Sequence, residues 1–169
     1  MAHTCNILVT GGSGYLGGSL LANLKTANLP SHGTIFAAVR KPEQAEAVKQ
    51  YDVKPLTLIM SDDAAITEAI VDNDISIIFY LVDEIRSKTQ VTMIKALAEV
   101  KKKTGEEVHF LHTTGAKMYS SHVGHPTDKP LLDTDPKLYD IQTRHNGPFD
   151  IMNTVRVEGR LLSKAIDCE

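Results

Sequence analysis

The stretch Gly11-Gly12-Ser13-Gly14-Tyr15-Leu16-Gly17 constrains this chain more than any other. It follows directly on Asn6 to Thr10 (NILVT), a short apolar, β-branched run that reads as a buried strand. It leads into Leu16, Leu20, Leu21 and Leu24, which recur at helical spacing until Asn28-Leu29-Pro30 stops the pattern. From Gly12 the loop reads G-x-G-x-x-G; from Gly11 it reads G-x-x-G-x-x-G. Glycine suits such a loop in three ways: it makes the tight turn, it lets backbone N–H groups approach a pyrophosphate, and it lets helix and strand pack closely. The phosphates would rest at the positive end of the helix macrodipole. The reading is a dinucleotide-binding turn; the alternative is a glycine turn with no ligand.

The strand–helix alternation continues along the chain. Thr34 to Val39 is a second strand, and Pro42 at a first helical position opens a helix through Lys49. Lys54 to Met60 is a third strand, followed by an N-cap cluster, Ser61-Asp62-Asp63, and a helix with Ile66, Ala69 and Ile70 on one face. Ile75 to Val82 is a fourth strand, apolar enough to be covered on both faces. Lys88 to Lys103 is a helix closed by Gly105, and Glu107 to Thr113 is the fifth strand. Five strands separated by four helices imply an α/β fold, a doubly wound parallel (Rossmann) sheet in the order 3-2-1-4-5. Residues 115–150, rich in Gly, Pro, Asp, Ser and His, read as a long loop. Ile151, Val155, Leu162 and Ile166 then mark a last helix. The expected organisation is a dinucleotide-binding domain over residues 1–150 and a C-terminal helix and tail over 151–169.

Composition excludes several classes. The chain has 169 residues, 42% hydrophobic and 23% charged, which suits one folded domain rather than disorder. Aromatics are 5%, Trp is absent and the net charge is −3, so a nucleic-acid partner is not expected. The longest apolar run, Ile75 to Val82, is far short of the ~20 residues that span a bilayer, so no membrane segment is expected. Cys5 and Cys168 read as reduced thiols, and the N-terminus shows no basic, apolar leader; the cytoplasm is the expected compartment. His109 and His112 are odd-spaced on one strand and so point to opposite faces, and His122 and His125 have no carboxylate or thiol partner at ligand spacing, so no metal is expected.

Cofactor choice is read at the end of the second strand. An Asp or Glu there would accept from the ribose hydroxyls of NAD. Val39-Arg40-Lys41 stands there instead, and two cations suit a 2′-phosphate, which Arg can grip bidentately. The sequence therefore favours NADP over NAD.

Thr10-Gly11-x-x-Gly14-x-x-Gly17 and Val39-Arg40-Lys41-Pro42 resemble the extended and atypical short-chain dehydrogenase/reductases, the group that holds the NAD-dependent epimerases/dehydratases and NmrA-like proteins. The resemblance covers about residues 5 to 140. It implies cofactor contacts from Gly11, Ser13, Gly14, Tyr15, Leu16 and Gly17 in the loop and from Arg40 and Lys41 after the second strand. It further implies Asp62 beside the adenine ring, Leu81 under the adenosine side, and Thr113 at the end of the fifth strand. Family chemistry uses a Ser or Thr after the fifth strand and a Tyr-x-x-x-Lys pair, which the resemblance places on Thr114 (or Thr113) and Tyr139. Thr143 stands four residues after Tyr139, where the family has Lys. Extended members run to about twice this length, so the chain is expected to be their cofactor lobe. The implied activity is an NAD(P)-dependent oxidoreductase or epimerase acting on a small molecule; the alternative is an NADP-sensing module without catalysis. The substrate, and whether the chain forms a homo-oligomer, stay open.

Overall fold

A computed structural model describes residues 5–82, 88–113, 115, 119–124, 127–138 and 140. The chain divides into two compact units, one of Met1–Val82 with Lys88–Thr113, the other of Asp83–Ser87 with Thr114–Glu169. The first contains five parallel strands: β1 (Asn6–Thr10), β2 (Ile35–Val39), β3 (Lys54–Thr57), β4 (Ile75–Tyr80) and β5 (His109–His112). Four helices connect them: α1 (Tyr15–Leu24), α2 (Pro42–Lys49), α3 (Asp63–Asp72) and α4 (Lys88–Thr104). The sheet order is β3-β2-β1-β4-β5, the Rossmann-type order expected from the alternation.

Strand faces follow from the two-residue period. Ile7 and Val9 of β1, with Ala37 and Val39 of β2, pack with Leu21 of α1 and Val48 of α2. Leu8, Phe36 and Ala38, with Ile78 and Tyr80 of β4, pack on the other side with Ile66 and Ile70 of α3 and Met93, Leu97 and Val100 of α4. Both faces of the central strands are therefore covered, which is why their sequences are nearly continuous apolar runs. Cys5, just ahead of β1, is half-buried.

The strands are shorter than their apolar runs. β3 stops at Thr57, although the run reaches Met60. One more sheet contact follows, from Leu58 N–H to the Val39 carbonyl (2.9 Å); then the Asp62 amide turns back to the Ile59 carbonyl (2.9 Å). Pro55 within β3 is tolerated because β3 is an edge strand paired only to β2.

Side chains brace the amino ends of the strands. Asn6 accepts from the Thr34 amide (2.8 Å) and donates to the Asn73 carbonyl (2.8 Å), tying β1 to the entries of β2 and β4. Lys103 joins α4 to the end of α3 through Asp74 (2.8 Å) and the Val71 carbonyl (3.1 Å).

In the second unit, a 3-10 turn at Ser121–Val123 closes through Gly124, whose φ is +85°. The Lys137 amide donates to the Asp135 carboxylate (2.8 Å), and the Leu138 amide to the Asp135 carbonyl (3.0 Å).

Candidate functional site

The glycine loop lies at the carboxyl end of β1, where the sheet order reverses between β1 and β4. Crevices at such switch points hold ligands in open α/β sheets. The glycines divide the work. Gly11 has φ +67°, a conformation L side chains rarely adopt, and a Cβ there would lie 2.8 Å from Val82 Cγ1. Gly17 carries the close approach of helix to strand: a Cβ would lie 2.2 Å from the Gly11 carbonyl oxygen and 2.8 Å from the Gly12 nitrogen. Gly14, the N-cap of α1, is exposed, and a Cβ there would meet only the Gly11 oxygen, at 3.2 Å.

No side chain caps α1. The amides of its first turn, from Tyr15, Leu16 and Gly17, have no acceptor within the helix. Ser13, Tyr15 and Leu16 are exposed around them, Tyr15 at 90%. N–H groups with no acceptor within the helix, at its positive end beside an exposed glycine, suit a phosphate.

Thr10, at the base of the crevice, is fully buried. Its hydroxyl accepts from the Leu81 amide (2.9 Å) and donates to the Phe79 carbonyl (3.4 Å). This residue joins the ends of β1 and β4 under the loop. Sequence reading used it only as part of the motif; a polar residue ending an apolar strand was the available signal. Leu81 is half-buried beside it, and Thr113 is tied to the end of β4 by its amide's hydrogen bond to the Tyr80 carbonyl (3.0 Å).

Arg40 and Lys41 follow β2 and are exposed. Their amides both donate to Gln44 Oε1, at 2.9 and 3.2 Å, so the first turn of α2 fixes the backbone beneath them. Neither side chain forms an ion pair with a described residue, which leaves both cations available to an anion.

In the loop after β3, Asp62, which the sequence placed in the N-cap cluster and the resemblance beside the adenine ring, is the N-cap of α3, and its Oδ1 accepts from the Ala65 amide (3.0 Å). Asp63 faces α4: Lys88 Nζ lies 3.1 Å from Oδ2, and the Thr92 hydroxyl donates to Oδ1 (3.0 Å). The hydrogen bonds from Lys88, then Thr92, hold the Asp63 carboxyl below the usual carboxylate range. The Thr89 hydroxyl donates to the Met60 carbonyl (3.1 Å), so the start of α4 grips this loop at both ends. Ile59 is 65% exposed in this loop, and the polar Ser61 and Asp62 after it are exposed too. Sequence reading missed the exposure of Ile59, because it lies within the apolar run read as the third strand.

Thr114 and Tyr139, the expected catalytic pair, lie outside the described residues, as do Thr143 and the C-terminal helix expected over 151–166. Among the described residues no cluster of His, Cys, Asp or Glu could hold a metal ion, and no helix is long and apolar enough to cross a membrane.

Solved structures place this fold among known ones. Triphenylmethane reductase of Citrobacter sp., complexed with NADP(H), aligns with a TM-score of 0.55 and 15% identity over 94% of this chain and 45% of its own. An NADPH-dependent quinone oxidoreductase from Escherichia coli, complexed with NADPH, aligns with a TM-score of 0.53 and 17% identity over 94% of this chain and 45% of its own. The chain thus spans less than half the length of either, and at these identities the likeness is one of fold. No curated protein sequence matches significantly. Residues 7–145 match the NAD dependent epimerase/dehydratase family, from β1 past the fifth strand, and the chain belongs to that family.

Proposed function

We propose that this chain binds NADP(H) at the carboxyl edge of its sheet and forms the cofactor-holding part of a reductase-like protein. The observation that carries the reading is the loop itself: Gly11 at φ +67°, Gly17 against the Gly11 carbonyl, and a first turn of α1 without a side-chain cap beside an exposed Gly14. The pyrophosphate rests on the amides of residues 13–17, with Tyr15 and Leu16 exposed at its edge. The adjoining ribose and its 2′-phosphate reach Arg40 and Lys41 at the end of β2. Leu81, at the end of β4, lies under the adenosine side, and Thr113, at the end of β5, borders the crevice beyond it. The NADPH and NADP(H) complexes of the two structural relatives agree with this choice of cofactor.

Arg40→Ala tests the assignment. NADP(H) affinity is expected to fall by about 1.5–3 kcal/mol, the range for a hydrogen bond to a charged group, while NAD(H) affinity stays nearly unchanged. Titration calorimetry with both cofactors decides it. Equal weakening of the two would mean that Arg40 acts through the fold or the general field.

A second reading rests on Thr143, which stands where the family pattern has Lys. A hydroxyl at that position lacks the positive charge by which the Lys of the family's Tyr-x-x-x-Lys pair favours a phenolate. In this reading the chain senses NADP(H) without efficient hydride transfer. General acid–base catalysis typically contributes ~10²–10⁴-fold, so NADPH consumption with an aldehyde, ketone and quinone panel is expected to remain at background. Turnover around ~1–10 s⁻¹ would exclude the sensing reading and restore a catalytic one.

A further inference from the structure

We infer that Gln44 is a positioning residue that sets the preference of this site for a 2′-phosphorylated cofactor: its side-chain oxygen fixes the backbone that carries Arg40 and Lys41, and its neutral amide leaves that place open to a dianion. The inference rests on the NADP(H) reading above and adds which neighbour makes the two cations selective.

The backbone comes first. Val39 is held by the sheet: it pairs with Thr57, and its carbonyl accepts from the Leu58 amide (2.9 Å). Pro42 opens α2 with a φ fixed by its ring. Arg40 and Lys41 lie between strand and helix, both exposed. Gln44 Oε1 accepts from both of their amides, at 2.9 and 3.2 Å. The Gln44 amide in turn donates to the Lys41 carbonyl (3.1 Å). One half-buried side chain thus fixes both residues from which the cations project. Long basic side chains lose rotamer freedom when they bind an anion, and a backbone already ordered lowers the total cost of binding.

The chemistry of this tie matters as much as its geometry. Both amides are occupied, so a phosphate here is met by side chains and not by the backbone. Gln44 is the third residue of its helix, where Glu forms the same tie and its charge suits the helix dipole. A carboxylate at 44 would stand one hydrogen bond from the amides of both cationic residues, where it would compete for their charges and repel a phosphate. Gln closes the turn without that charge. Glu43 in the same turn is exposed, and the two amides are held by Gln44, not by it. The ribose of NAD carries hydroxyls in place of the phosphate and makes no demand on the two cations.

The test is calorimetric titration of the full chain with NADPH and with NADH, for the wild type and for Gln44→Ala, Gln44→Glu and Glu43→Gln, with thermal unfolding of each. Gln44→Ala is expected to lower NADPH affinity by roughly three- to tenfold and to leave NADH affinity within about twofold. Gln44→Glu restores the tie, so its Tm is expected at or above that of the wild type, while NADPH affinity falls by about tenfold or more and NADH affinity does not fall. Glu43→Gln is expected to change the ratio of the two affinities by less than about twofold, because its charge is exposed and screened. A fall in Tm of Gln44→Ala with an unchanged ratio would make Gln44 a helix cap only and overturns the inference. Wild-type NADPH affinity in Gln44→Glu overturns it, and so does a gain of NADPH affinity in Gln44→Ala, which would mean that the freed amides bind the phosphate themselves. A change of ratio in Glu43→Gln as large as that in Gln44→Glu would assign the effect to the general field and also overturns it. If the wild type binds neither cofactor, or does not prefer NADPH, the NADP(H) reading itself fails, and this inference with it.

Discussion

A Gly14→Val variant is expected to fold and to lose at least about 100-fold in NADP(H) affinity. Gly14 has φ −93°, which any L residue can adopt, and it is exposed at the N-cap of α1. The only atom near an added Cβ is the Gly11 oxygen, at 3.2 Å, so the protein itself has room after a shift of a few tenths of an ångström. The ligand does not. A branched side chain at the N-cap stands beside the amides of Tyr15 and Leu16, where a pyrophosphate has to approach to within hydrogen-bond distance. Losing two charge-assisted hydrogen bonds, each about 1.5–3 kcal/mol, accounts for a loss of this size. Unchanged NADPH affinity by calorimetry, in a variant with native circular dichroism, would remove the glycine loop from the binding site.

Gly17→Ala should act on the fold instead. Its Cβ would lie 2.2 Å from the Gly11 oxygen, 2.5 Å from the Gly11 carbonyl carbon and 2.8 Å from the Gly12 nitrogen. All three are backbone atoms of the tight turn, so no side chain can rotate away; α1 must move off β1. Overpacking usually costs about 1–3 kcal/mol, and a clash with backbone on every side belongs at or above the upper end, about 3 kcal/mol. For a chain of this length that corresponds to a fall in Tm of roughly 10 °C. Thermal and urea unfolding of wild type and variant measure it. A fall of under 2 °C would show that the helix–strand contact at Gly17 is looser than the structure gives. The pair of variants separates two roles that share one motif: one glycine admits the ligand, the other admits the helix.

Local pattern sufficed for the elements. Two-residue periodicity sorted Ile7 and Val9 from Leu8, helical spacing marked α1 through Leu20, Leu21 and Leu24, and the glycines after β1 marked the turn. Strand–helix alternation with right-handed crossovers implied a doubly wound parallel sheet, and the glycine turn after the first strand pointed to the order 3-2-1-4-5 among the possible ones. Arg40 and Lys41 were legible as candidates for the same reason, since the end of β2 can be counted along the chain. What side chains do once the chain is folded was not legible. Asp62 and Asp63 look alike in sequence, yet one caps α3 and the other binds Lys88 and Thr92 across to α4. A carboxylate takes whichever donor the fold brings to it, and these donors lie 3 to 29 residues away. Ile59 lies within the apolar run read as the third strand and is exposed, because the strand ends three residues earlier than that run. The sequence by itself determined the strand–helix order, the faces of the central strands and the position of the phosphate turn, all set by nearest neighbours and periodicity. Only the tertiary structure decided which glycine is pressed closely against backbone and which is exposed with a single looser contact, and which residues after β3 meet the solvent. Those depend on contacts between segments far apart in the chain, such as Gly11 against Val82 and the post-β3 loop against α4, which no local spacing encodes.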